Sequence, residues 1–432
     1  MHALKRILPL GVAIAAMVLF ASPVMAFHDG GVAYCSGCHS MHSSPASEYL
    51  LMQSDPSSTC LRCHERAGDT GPNGYHVSTP SSELAAATDV VKQRTPGGDF
   101  GWLRQTLTAT ATYGATVTNR GYERGHNIIA ADNSYTYVDG STAPGGDMPA
   151  MDLSCVSCHD PHSRARRLEN GDIIYPSTAV PTAPIFESGS YGFIPSANEA
   201  AGVYRLLGGT AYKAFEDGPS FPGNPAAVVP ETYNRTEAAT QTRVAYGYGT
   251  GNGYASWSMW CATCHPGMHT ESASNLVHVV DAQLNGKATT YGQYIMSGDL
   301  TGTLATSFTS LVPFATNTTD VATLAALAVN DDTKLDGPAA SDRILCLTCH
   351  RAHASGWRYG LRWNGDAEFL TLADGSGAPI YPGVELAGTI GNQGQYNRGY
   401  TTNQMKAAYY DRPATVFAAH QRSLCNKCHA KD

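Results

Sequence analysis

CSGCHSMH, residues 35–42, sets two cysteines and two histidines within eight positions. Its first five residues form C-x-x-C-H, and the same pattern returns as Cys60-Cys63-His64, Cys155-Cys158-His159, Cys261-Cys264-His265, Cys346-Cys349-His350 and Cys425-Cys428-His429. The six copies use all twelve cysteines of the 432-residue chain. C-x-x-C-H is the attachment sequence for c-type haem: the two cysteines form thioether bonds to the haem vinyl groups, and the adjacent histidine ligates the iron. Disulfide frameworks and zinc sites also pair cysteines. Neither requires a histidine after every pair. With histidine at 16 of 432 residues, six chance coincidences have a probability on the order of 10⁻⁹. The sequence therefore predicts six covalently attached haem c groups, with His39, His64, His159, His265, His350 and His429 as proximal ligands.

The first 26 residues read as an export signal: MHALKR is basic, ILPLGVAIAAMVLFA apolar, and SPVMA a small-residue cleavage site before Phe27. A membrane span needs about 20 apolar residues, and this run is shorter. Residues 27–432 are expected to form a single hexahaem unit outside the cytoplasm. Without Lys5 and Arg6, 26 basic residues face 36 acidic ones, a net charge of −10. That balance disfavours nucleic-acid partners and anionic membrane surfaces. No later stretch reaches membrane-spanning length.

Each iron has a second axial position. Nine histidines beyond residue 26 lie outside the motifs: His28, His42, His76, His126, His162, His269, His278, His353 and His420. Eight methionines compete, but the histidine surplus favours bis-histidine ligation and low potentials. His42, His162 and His353 each follow a proximal histidine by three residues, in CHSMH, CHDPH and CHRAH; His269 follows by four. Three residues span at most about 10–11 Å. Rounding the porphyrin edge to the far face of the same iron uses nearly all of that, so such a histidine is better placed to ligate a different haem. A hydrogen bond to a haem propionate is the competing role. His76, His126 and His278 lie in linkers and are free to return to any distal face. His269, His28 and His420 are weaker candidates, the last two with a ready alternative role as terminal surface or propionate-bonding residues.

The gaps between proximal histidines are 25, 95, 106, 85 and 79 residues. The 44 glycines, 24 prolines and 15% charged residues do not suit a helix-rich or salt-bridge-rich globule. The expected fold class is mostly irregular coil organised by haem, with a few short helices and minimal β structure. Helices are predicted at Ser81–Arg94, Asn198–Leu207, Asp320–Val329 and Thr402–Tyr410 from their caps. TPGGDFGW (95–102) and TAPGGDMP (142–149) read as turns, and SYTYV (134–138) as a short strand. Arg164, Arg166 and Arg167 either pair with propionates or form a solvated patch.

Six C-x-x-C-H sites, the CHSMH beginning, CHRAHASG, the CNKCHAKD end, FHDGGVA and NRTEAATQTRVAYG (234–247) together resemble the OmcS-type hexahaem outer-surface cytochromes of Geobacter-like metal-reducing bacteria. The resemblance implies bis-histidine ligation throughout and a homopolymeric filament with a continuous haem chain. It further implies that His42 crosses to the next subunit and ligates the haem on Cys346, Cys349 and His350. Other cytochromes and extracellular electron acceptors are the implied partners, and the outer surface the implied location. A soluble carrier in the periplasm or at the surface is the alternative. A small-molecule reductase is a further one, but it requires an open iron position, and all six motifs carry histidine.

Overall fold

The computed structural model describes residues 35–42, 44–45, 49–65, 76–84, 95–110, 116–138, 140–175, 183–230, 242–270, 277–386, 397 and 399–430. The expected export signal, His28 and most of 81–94 lie outside the described residues. Regular structure is sparse and short, as the glycine and proline content predicts. Among the described residues the longest helix, Pro56–His64, has nine residues and begins on Asp55, whose side chain accepts from Ser58 N, with Pro56 in the first turn. Gly286–Gln293 has eight residues. Among the described residues, no helix is long and apolar enough to cross a membrane.

Two further helices begin where their caps predict. Asp320 caps Val321–Leu327 by accepting from Thr323 N at 2.8 Å. Thr401 and Gln404 form a reciprocal capping box at Thr402–Ala408. The helix expected at Asn198–Leu207 does not form. Ala200–Ala201 instead joins a four-stranded sheet, in the order Ile173–Ile174, Arg166–Arg167, Ala200–Ala201, Ile185–Glu187. Arg205 and Leu206 then take left-handed backbone angles, φ 49° and 54°, which a right-handed helix forbids. Tyr135, in the expected strand, makes only a single bridge to Ala130. Both glycine-rich turns close as predicted, with bridges Thr95↔Gly98 and Thr142↔Pro149. The remaining sheets are two hairpins, at Leu107–Thr110/Thr116–Asn119 and Leu372–Ala373/Pro379–Ile380, and a three-stranded sheet of Ala227–Val228, Ala245–Gly247 and Ala315–Thr316.

The polypeptide builds its own apolar cores beside the attachment sites. The largest packs Trp102, Trp357, Trp363, Tyr381, Tyr400 and Tyr409 with Met405 and Leu370, and Cys349 and Cys428 lie against it. A second gathers Phe221, Trp257, Trp260 and Tyr246, with Cys158, Cys261 and Cys264 at its edge. The smallest, around Leu61, Phe100, Ile128 and Tyr135, touches Cys155. Tyrosine serves here mainly as packing, with Tyr381 stacked on Tyr409 at 5.1 Å. Arg167 belongs to this framework: it is buried and donates to the Phe193 carbonyl, while Arg164 is exposed.

Candidate haem attachment sites

Each C-x-x-C-H segment closes as a single helical turn. The histidine N–H donates to the first cysteine's carbonyl at His39, His159, His265, His350 and His429, at 2.8–3.2 Å, and Cys60–His64 lies inside the Pro56–His64 helix. Residues three and four apart share one face of such a turn. Both sulfurs and the imidazole therefore point the same way, which is what attachment to one porphyrin requires.

Six of the histidine rings are held through Nδ1. His39 donates to Tyr49 O (2.9 Å), His159 to Arg205 O (2.7 Å), His265 to Pro144 O (2.8 Å) and His350 to Tyr359 O (2.8 Å). Among the distal candidates, His126 donates to Ala352 O (2.6 Å) and His278 to Val279 O (3.0 Å). A backbone acceptor at Nδ1 fixes the tautomer and leaves the Nε2 lone pair for a metal. Burial pushes His126 down to about 4 and His353 down to about 3, and lowers His350 as well. All three are thus neutral imidazoles, the form that ligates.

Three of these sites share one backbone device. At Tyr49–Met52, Arg205–Gly208 and Tyr359–Arg362, the first carbonyl takes the histidine Nδ1–H. The second carbonyl accepts the N–H of the residue after the histidine (Ser40, Asp160 or Arg351), and the fourth N–H returns to the second cysteine's carbonyl (Cys38, Cys158 or Cys349). Left-handed residues in each strap, Leu50, Arg205 with Leu206, and Tyr359 with Gly360, turn the carbonyls toward the histidine. The glycine turns perform related work. Gly97 O accepts His353 N at 2.6 Å, and a Cβ on Gly98 would meet Ala354 O at 2.0 Å. A Cβ on Gly146 would likewise strike Cys264 O at 2.0 Å. Glycine is required there because the turn passes directly against the site.

Four pairs of histidine rings face each other: His39 and His162 (centroids 6.0 Å), His159 and His353 (6.4 Å), His265 and His126 (5.9 Å), and His429 and His278 (6.2 Å). Two imidazoles on one metal, each about 2.0 Å from it at nitrogen and about 1.1 Å further to the ring centre, stand about 6.2 Å apart. The four pairs have that separation. Among the described residues, His350 and His42 are paired with no second histidine ring, and His42 is exposed. His76 follows a backbone bond from Val77 N to His64 O. His269 Nε2 stands 3.7 Å from Asp281, and His420 packs edge-on to Phe369.

The attachment sites follow one another in chain order. Arg62 of the second motif donates to Gly37 O of the first, and Cys38 neighbours Cys63. The Cys60 thiol donates to Cys155, Cys158 faces Cys264, the Cys261 thiol donates to Cys346, and Cys349 faces Cys425 and Cys428. All twelve thiols are free of disulfides. Burial holds Cys158 and Cys349 up at about 12 and Cys264 at about 11, so these are protonated thiols, not the thiolates of a redox or zinc centre. Exposed Met41, Met259, Met268, Val279 and Tyr359 lie beside the motifs and ligand candidates, apolar surface of the kind a porphyrin covers. The residues present fit haem c.

Covalently bound c-type haem, repeated along one polypeptide, makes this a multihaem c-type cytochrome. The doubled CXXCH motif family matches residues 26–69. The chain is 46% identical to the C-type cytochrome OmcS of Geobacter sulfurreducens, over 98% of each chain. Two solved structures from that organism, an Outer Membrane Cytochrome S filament and OmcS nanowires, superpose with TM-scores of 0.80 and 0.79 at 44% identity, covering 94% of this chain and 100% of theirs. The chain belongs to the OmcS family of c-type cytochromes.

Proposed function

We propose that this protein conducts electrons outside the cell through six bis-histidine c-type haems, and that its copies polymerise so that the haem chain continues from one to the next. The carrying observation is the set of four histidine pairs at 5.9–6.4 Å strung along attachment sites that neighbour one another in sequence order. Bound haem supplies a one-electron iron couple. The chain's own residues fill both axial positions, hold the imidazoles neutral and pack apolar side chains around the sites. On this reading His162, His353, His126 and His278 complete the irons of His39, His159, His265 and His429, and His76 serves that of His64. His162 and His353 each sit beside a different attachment turn, so ligation ties the first site to the third and the third to the fifth.

His350 and His42 are then left over, one a proximal ligand lacking a partner and the other an exposed ligand lacking an iron. A second copy satisfies both if its His42 ligates the His350 haem. The family's filamentous members support this joint. No substrate chemistry is assigned, since every iron is six-coordinate in the polymer. Export past residue 26 and residence at the cell surface accompany the function.

The test is EPR of the oxidised filaments together with intact mass. Six covalent haems and a purely low-spin spectrum are expected. His42→Ala should retain six haems, lose filaments and acquire one high-spin iron per chain. Normal filaments from that variant would break the proposed joint, and a stoichiometric high-spin signal in the unaltered filament would favour a reductase. Soluble single copies with six low-spin haems would favour a carrier.

A further inference from the structure

Arg124 is fully buried, and its position bears on the electron path. Its backbone carbonyl accepts Ser355 N at 3.0 Å, Gly125 bridges Ala354, and His126 N donates to His353 O at 2.9 Å. Arg124 is therefore two residues from His126 on one strand and opposite the residue two beyond His353 on the other. These are the second ligands proposed for the fourth and third haems. The guanidinium lies between the rings of Trp102 (5.7 Å) and Tyr400 (5.6 Å) and donates once, from Nη2 to Asn119 O at 3.1 Å. Its Nε and Nη1 are buried with no hydrogen-bond partner. The adjacent carboxylate, Glu123, is engaged by Arg358 at 3.3 Å. The guanidinium has no solvent exposure, so a propionate has no open approach to it.

A fully buried cation whose nearest carboxylate is engaged by another arginine acts over a longer range than a surface charge, because the surrounding dielectric is low and salt does not screen it. Ferric haem carries one more positive charge than ferrous haem, and a nearby fixed cation disfavours the oxidised state. We propose that Arg124 is a tuning residue that raises the reduction potentials of the two haems attached at His159 and His265 above those it would otherwise leave them. The residue touches no reacting atom and acts by its field. The aromatic pair around it keeps an unpaired charge tolerable through cation–π attraction.

This inference rests on the ligand assignment above, and the test separates the two. Potentiometric titration followed by visible absorption is carried out on haem-loaded Arg124→Met and Arg124→Lys, with EPR on the same samples. Arg124→Met should lower the potentials of two of the six haems, Arg124→Lys should hold them near their original values, and both should stay low-spin. An Arg124→Met protein whose potentials match the parent's, or whose six potentials move together, overturns the tuning role. A change of spin state at His159 or His265 would instead indict the ligand assignment. If the methionine variant does not accumulate, Arg124→Gln decides. That neutral side chain can still donate to the Asn119 carbonyl and should lower the same two potentials; unchanged potentials overturn the inference.

Discussion

The amino-terminal sites and the carboxy-terminal third solve the same problem with different materials. His64 follows His39 by 25 positions, and His429 follows His350 by 79. The longer stretch carries Trp357, Trp363, Tyr400, Met405 and Tyr409 into a core that backs Cys349 and Cys428. Among its described residues the shorter one buries only Leu51 and Leu61 as apolar side chains, beside Ser57, Ser58 and Thr59, and its first turn, Cys35–Cys38, has no buried residue. Hydrogen bonds hold it instead: Ser40 N to Leu50 O, Met52 N to Cys38 O, and Ser54 N and Oγ to the Asp132 carboxylate. Haem is thus the structural core where linkers are short, and an addition to an existing core where they are long.

The strongest way to break that comparison is to delete one attachment at each end. Cys60→Ala with Cys63→Ala should abolish ordered structure around the first two sites, read as rapid proteolysis before residue 66. Cys425→Ala with Cys428→Ala should leave a folded protein carrying five haems, because the aromatic core behind that site persists. Equal protease resistance of the two variants would show that linker length does not decide where haem is structural. Next in size is Trp357→Ala. The indole is 1% exposed and packs against Tyr400 and Tyr409, each at 4.8 Å. Its loss should cost about 3–5 kcal/mol of stability in denaturant titration while sparing the spectra of the amino-terminal haems. A cost under about 1 kcal/mol would mean that haem, not this core, holds the carboxy-terminal third.

What sequence reveals divides along the same physical line. Motif positions, the capped helices after Asp320 and Thr401, and the candidate ligands are local and were legible. So were both glycine turns, although only the structure assigns them work, against His353 and against Cys264. The pairing of His39 with His162, or His265 with His126, is a contact across more than a hundred residues and leaves no local trace. Asn198–Leu207 reads as a helix because its caps are right, but Ala200–Ala201 is recruited by Arg167 and Ile185, and tertiary pairing overrides propensity. The Nδ1 acceptors at Tyr49, Arg205 and Tyr359 are backbone carbonyls, which any residue supplies. Their three straps share only a Leu at the third position, Leu51, Leu207 and Leu361, too little to register as a repeat.

Those straps allow the comparison to be sharpened with a single methyl group. The second strap position is Leu50 (φ 51°) at the amino-terminal end, Leu206 (φ 54°) in the middle and Gly360 (φ 65°) beside the aromatic core. A left-handed backbone costs an L-residue about 1–2 kcal/mol, a cost the two leucines already carry and Gly360 does not. The nearest atom to a Cβ on Gly360 is Arg351 O at 3.4 Å, so there is room and only the backbone angle opposes it. Gly360→Ala should therefore lower stability by about 1 kcal/mol and leave the His350 haem with its parent spectrum, since the strap carbonyl from Tyr359 still takes the Nδ1–H. A shifted Soret band at that haem, with no loss of stability, would mean that glycine there protects the histidine's orientation, and that the straps are not interchangeable.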